Sequence, residues 1–122
     1  MNPYEYSVLR FIPDLERGEC LNVGVVVYCQ KNDYLGVRFT FDEARLAAFA
    51  PAVPLAELRR ALDGIRAHCT GDEHAAGESL GRRFRWLTAP RSTIVQPGPV
   101  HPGMTGDPDG TLDHLFERLV RS

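Results

Sequence analysis

The sequence predicts an α+β fold: a mostly antiparallel sheet of about four strands, in the order β-β-β-α-α-(α)-β-α, with helices packed chiefly on one face. Three observations predict it. The first forty residues hold three β-branched or aromatic runs joined by short polar turns, which is the pattern of a meander. After Phe41 the apolar period changes from two to about 3.6. A Pro/Gly-rich stretch then separates one more short β-branched run from a well-capped C-terminal helix. Residues 1–122 are expected to form one domain, since that length is near the commonest domain size.

Each element has its own signal. YEYSVLRFI (4–12) reads as a strand ending at Pro13, and PDLERGE (13–19) as a charged loop with Gly18 free to take a positive φ. CLNVGVVVYC (20–29) is the clearest strand, with Leu21, Val23, Val25, Val27 and Cys29 alternating on one core-facing side. QKND (30–33) turns the chain into YLGVRFTF (34–41), where Leu35, Val37, Phe39 and Phe41 share a face. Thr40 to Glu43 matches the S/T-x-x-E capping box before a short helix over about 42–50. In 54–69, Leu55, Leu58, Leu62 and Ile65 form an apolar stripe opposite Arg59, Arg60, Asp63 and Arg66, behind Pro54. Leu80, Phe84 and Leu87 suggest a third short helix, and STIVQ (92–96) an edge strand closed by Pro97. PGPVHPG (97–103) reads as irregular. Asp107 and Pro108 suit the N-cap and first position of a last helix carrying Leu112, Leu115, Phe116, Leu119 and Val120.

Composition narrows the function. The net charge of -2 and pI near 6.1 supply no global field for nucleic acid or anionic lipid, so neither partner is expected. No stretch approaches about 18 uninterrupted apolar residues, and MNPYEYSVLR lacks the basic and apolar regions of a signal peptide. Cys20, Cys29 and Cys69 form no CxxC and are expected to be three buried, reduced thiols, which points to the cytoplasm. Phosphate loops, dinucleotide fingerprints, nucleophile elbows, H-E-x-x-H and EF-hand loops do not occur, and no cofactor or metal is expected.

Four clusters carry chemistry. If the strand parity holds, the sheet side opposite the core collects Tyr4, Tyr6, Arg10, Asn22, Gly24, Tyr28, Tyr34, Arg38 and Thr40. Tyrosine and arginine on an open sheet can stack bases or anchor a protein partner, with Tyr4, Tyr6, Arg10, Tyr28, Tyr34 and Arg38 as the interaction face. The competing reading is that the C-terminal helix or a second subunit covers that face, and a bulge at Gly24 would scramble it. The basic stretch RRFRWLTAPR (82–91) sets four arginines around Phe84 and Trp86, which suits phosphate or single-stranded nucleic acid, while acidic Asp72, Glu73 and Glu78 nearby would instead neutralise them as a solvated ion-pair surface. Arg17, Asn22, Arg91, Ser92 and Gln96 are candidates to hold an anion, with Glu19 or His101 to move a proton, provided that loop 13–19 meets segment 91–101. His68, Cys69 and His74 are soft donors without a recognised zinc spacing.

The opening YEYSVLRFIPDLERGECLNVGVVVYC, the stretch RFRWLTAPRSTIVQPGPVHPG (83–103) and the ending D-P-x-x-x-L-D-x-L-F (107–116) resemble the bacterial domain-of-unknown-function family 3037. E-R-G-E-x-x-N-V-G-V (16–25) and P-R-S-T-I-V-Q-P (90–97) are its more specific motifs, and they contain Glu16, Arg17, Asn22, Gly24, Arg91, Ser92 and Gln96, with His101 just beyond. The resemblance carries no activity or cofactor. It implies members encoded beside kinase-like proteins related to persistence toxins, hence an accessory role. The leading expectation is a non-enzymatic protein-interaction module, with a homodimer or a kinase-like partner. The alternative is an enzyme or binding protein for a phosphorylated or otherwise anionic small molecule.

Overall fold

The computed structural model describes residues 1–71, 76–91 and 93–121. Strands β1 (Asn2–Phe11), β2 (Leu21–Cys29) and β3 (Tyr34–Phe39) form the expected antiparallel meander. Two short strands, β4 (Val95–Pro97) and β5 (His101–Thr105), share the other edge of β1. β4 pairs with Leu9–Phe11 and β5 with Asn2–Tyr6, both antiparallel. The fifth strand falls where the sequence reads as irregular. Pro102 has no N–H to donate, but an edge position leaves one side of the strand free of ladder bonds, so the ladder survives it.

A bulge decides which residues face where. Leu9 lies opposite Gly24 and Arg10 opposite Asn22, so Val23 is the extra residue of β2. Leu21 and Val23 stay on the face of Leu9 and Phe11, and past the bulge Val26 and Tyr28 continue it. Val25 and Val27 turn to the opposite face. The alternation expected from Leu21 to Cys29 is therefore split between two cores. Gly24 is required at the kink, since a Cβ there would lie 2.8 Å from the Arg38 carbonyl oxygen and 2.9 Å from the Phe39 Cβ.

Each face has its own helices. α1 (Glu43–Phe49), α2 (Leu55–Thr70) and α3 (Leu80–Leu87) cover the first, and α4 (Pro108–Phe116), prolonged by a π turn over Glu117–Arg121, covers the second. α1 is capped by Asp42, whose side chain accepts from the Arg45 N–H at 3.1 Å; Thr40 is not the cap because β3 still holds its backbone through Thr40 N–H to Val23 O at 2.9 Å. The stripe on α2 buries Leu58, Leu62 and Ile65 against Phe11, Val26 and Phe84. Fully burying each such side chain stabilises the fold by about 1.5–3 kcal/mol. On the second face Leu112, Leu115, Phe116 and Val120 close over Val25 and Val27. Asp107 caps α4 from its side chain to the Gly110 N–H at 3.2 Å, with Pro108 in the first turn, as the sequence predicts.

Candidate functional site

A cleft of about 600 Å³ lies between α2, α3 and the segment leading into β4. Ala61, Gly64, Ile65 and His68 line it from α2 at the i, i+3, i+4, i+7 spacing of one helical face. Ala61 and Gly64 are too small to fill that face, and the hollow lies over them. Arg82 and Trp86, four apart on α3, form the facing wall, and Arg91, Thr93 and Val95 close the end.

Trp86 is the centre of a stack. The His68 ring lies 3.9 Å from the indole at an interplanar angle of 22°, and the Arg91 guanidinium carbon sits 4.5 Å over the indole. Arg91 is held by its α3 neighbours: Nη2 donates to the Trp86 carbonyl oxygen and Nε donates to the Ala89 carbonyl oxygen at 3.4 Å. A cation there also suits the negative end of the α3 dipole. Burial lowers the Arg91 pKa from its usual value, yet guanidinium stays charged at any working pH. Trp86 nevertheless remains 50% exposed. Arg60, Arg82 and Arg91 supply three positive charges to the wall and Glu78, 3.6 Å from Arg82, one negative. Among the described residues the cleft lining is thus net positive by two, in a chain of net charge -2; Asp72 and Glu73 lie outside the described residues.

A second hollow of about 660 Å³ adjoins the first, because Ala61 and Thr93 line both. Its character is opposite, with Asp14, Glu16 and Glu57 around Ile12, Leu15 and Ile94. The loop that forms it is well built. The Glu16 N–H donates to Asp14 Oδ1 at 3.0 Å, and the Gly18 N–H to the Asp14 carbonyl oxygen at 3.1 Å, with Gly18 at φ 73°. The Ile12 N–H donates to the Ile94 carbonyl oxygen at 2.7 Å and ties the loop to the β4 segment. Leu15 stands at the tip, 57% exposed.

Loop 13–19 and segment 91–101 therefore do meet, but through Pro13–Glu16 against Thr93 and Ile94. Arg17 and Glu19 pair with each other at 2.6 Å and line a different hollow, beside Phe49 and Pro51. Arg91 opens on the first sheet face. Gln96 and His101 belong to the second, since Gln96 sits across from Arg10 and His101 across from Tyr6. The joint anion site of Arg17, Arg91, Gln96 and His101 is not assembled, because β4 puts neighbouring side chains on opposite faces. Gln96 Nε2 donates to the Thr93 carbonyl oxygen at 3.1 Å, and Asn22 Nδ2 to the Leu119 carbonyl oxygen at 3.0 Å. The first bond is local, and the second ties β2 to the π turn that follows α4. Ser92 and His74 lie outside the described residues. Among the described residues no group of three or more His, Cys, Asp or Glu is placed to hold a metal ion.

The tyrosine face is divided. Tyr4, Tyr6 and Tyr34 lie beneath or beside α4, where Tyr34 donates to Asp109 Oδ1 at 2.9 Å. Arg38 pairs with Asp113 at 2.5 Å and lies 4.7 Å over Phe116. Tyr28 does not belong with them: the bulge turns it to the first face, where its ring stacks 5.4 Å from Phe84. Arg10, Asn22 and Gln96 form a cross-strand row, and the Tyr6 ring lies 5.3 Å from His101 beside it, tilted by 35°. The sequence reading missed Leu15, Gly64 and the pairing of His68 with Trp86. The signal for the last was the small-residue gap in an otherwise bulky α2 stripe.

Among the described residues no helix is long and apolar enough to cross a membrane. No curated protein and no solved structure matches the chain. A family model described as protein of unknown function (DUF3037) matches residues 6–120, nearly the whole length. On that match the chain belongs to the DUF3037 family.

Proposed function

We propose that this chain is a non-enzymatic protein-interaction module of the cytoplasm, and that it holds an acidic, partly apolar segment of a partner protein in the cleft beside Trp86. The observation that carries this reading is the His68–Trp86–Arg91 stack on a wall whose described residues are net positive by two. Guanidinium forks bind carboxylates in two-pronged fashion, and an indole edge with Ile65 and Val95 offers an apolar floor. Arginine rims favour binding over proton transfer, since guanidinium does not give up its proton near neutrality. Aromatic and arginine anchors of this kind concentrate binding energy in a few residues.

The chain has a single tryptophan, so its emission reports on the cleft alone. Titration with a synthetic peptide carrying leucine between two carboxylates is expected to shift that emission saturably. Arg82→Glu should weaken the binding about tenfold or more, through like-charge juxtaposition. A flat titration up to about 1 mM peptide, the floor of useful affinity, would sink the proposal. Saturation by inorganic phosphate with no response to the peptide would instead favour the small-anion reading.

A further inference from the structure

The chemistry that the cleft selects is present on this chain itself. Asp14-Leu15-Glu16 is an apolar residue between two carboxylates, displayed on a turn fixed by the Asp14 hydrogen bonds and by Gly18 in the left-handed region. All three of these side chains are exposed. Resting on the reading of the cleft given above, we infer that its occupant is the Leu15 loop of a second copy of the chain, in a closed two-fold dimer.

The placement supports closure. The acidic hollow behind Leu15 and the basic cleft beside Trp86 share Ala61 and Thr93, so donor loop and acceptor cleft are neighbours on one surface. A two-fold axis near those shared residues brings the acidic end of each copy over the basic end of the other. Each Leu15 then meets the partner's exposed Trp86, and Asp14 and Glu16 meet the partner's Arg60 and Arg82. Such an interface is isologous and stops at two, whereas a head-to-tail use of the same surfaces would leave both ends open. Charge of opposite sign at the two ends also sets the register and speeds encounter.

The test is a charge swap read by sedimentation velocity over a range of concentrations, with the full chain. Glu16→Arg and Arg82→Glu are both compatible with folding. The Glu16 side chain makes no bond in the turn, where only its backbone N–H is used. Arg82 is 77% exposed, and Ser79 accepts from its N–H at 3.2 Å, so glutamate there completes a capping box. Wild type is expected to dimerise, more weakly at high salt, because exposed charges are screened within a Debye length of about 3 Å at 1 M. Each single variant should lose affinity for itself by about tenfold or more. An equimolar mixture of the two should recover a dimer, because position 16 of each copy then faces a residue of opposite charge at position 82 of the other.

A wild type that stays monomeric to about 1 mM overturns the inference. If that monomer still binds the acidic peptide, the reading of the cleft stands without it; if it binds nothing, both are lost. A dimer that neither reversal weakens also overturns the inference, since it must form through another surface.

Discussion

Replacing Gly24 and Gly64 by alanine separates two glycines of opposite physics with the same chemical change. At Gly24 the new Cβ would meet the Arg38 carbonyl oxygen at 2.8 Å, the Phe39 Cβ at 2.9 Å and Leu9 Cδ1 at 3.2 Å. Two of those atoms lie on or next to the β3 backbone, so the strand pair itself must shift. Overpacking of that kind costs about 1–3 kcal/mol. For a domain of this size each kcal/mol lowers Tm by about 3–6 °C, so Gly24→Ala should melt about 3–18 °C lower. At Gly64 the added Cβ meets nothing within 4 Å, and the residue sits inside α2. Alanine there should stabilise by about 0.5–1 kcal/mol, by removing glycine's backbone entropy cost. Urea denaturation followed by circular dichroism gives both values on one scale. Equal effects of the same sign would refute the reasoning, and so would a Gly24→Ala protein as stable as wild type. The bulge would then not be the feature that turns Val25 and Val27 toward α4.

Other expectations follow from burial and charge. Against the expectation of three buried thiols, Cys20 is exposed just ahead of β2 while Cys29 and Cys69 are buried, so a thiol reagent at pH 8 should modify one thiol quickly and the other two only on unfolding. Burial pushes the Cys69 thiol up from 9.0 to about 11, so its contribution to stability is complete below pH 9 and is lost as pH rises through about 11. Tyr34 is raised by burial and then by Asp109 and has the same sign, so Cys69→Ala should shallow the alkaline loss without abolishing it. Labelled single- and double-stranded oligonucleotides should show no sub-micromolar binding near physiological salt. A tight complex that drops on Arg83→Ala and Arg85→Ala would contradict that.

Much of the fold was local and therefore legible. The meander of β1 to β3, the α2 stripe and the Asp107-Pro108 start of α4 each follow from a period or a cap within a few residues, and the structure keeps all three. The family was legible too, since its motifs are contiguous in the chain. Parity beyond Gly24 was not. A bulge is settled by how two strands share a twist and by what a Cβ would strike across the sheet, so Val25 and Val27 changed cores and Tyr28 changed faces. The cap of α1 moved from Thr40 to Asp42 for a related reason, because β3 pairing held Thr40 in the sheet.

The candidate site shows the same division. Residue types alone marked Trp86 and Arg91 as a place for an anion, because planar aromatic and guanidinium groups carry that chemistry wherever they sit. Which groups would join them was a matter of distance between segments far apart in sequence. Tertiary packing brought His68 of α2 onto Trp86 of α3, set the Leu15 loop around the adjoining hollow and sent Arg17 elsewhere. It also turned Gln96 and His101 to the far side of the sheet, through a two-residue period that no composition reveals. The sequence determined the elements and their chemistry; the packing of those elements on two faces of one bulged sheet decided which chemistry shares a site.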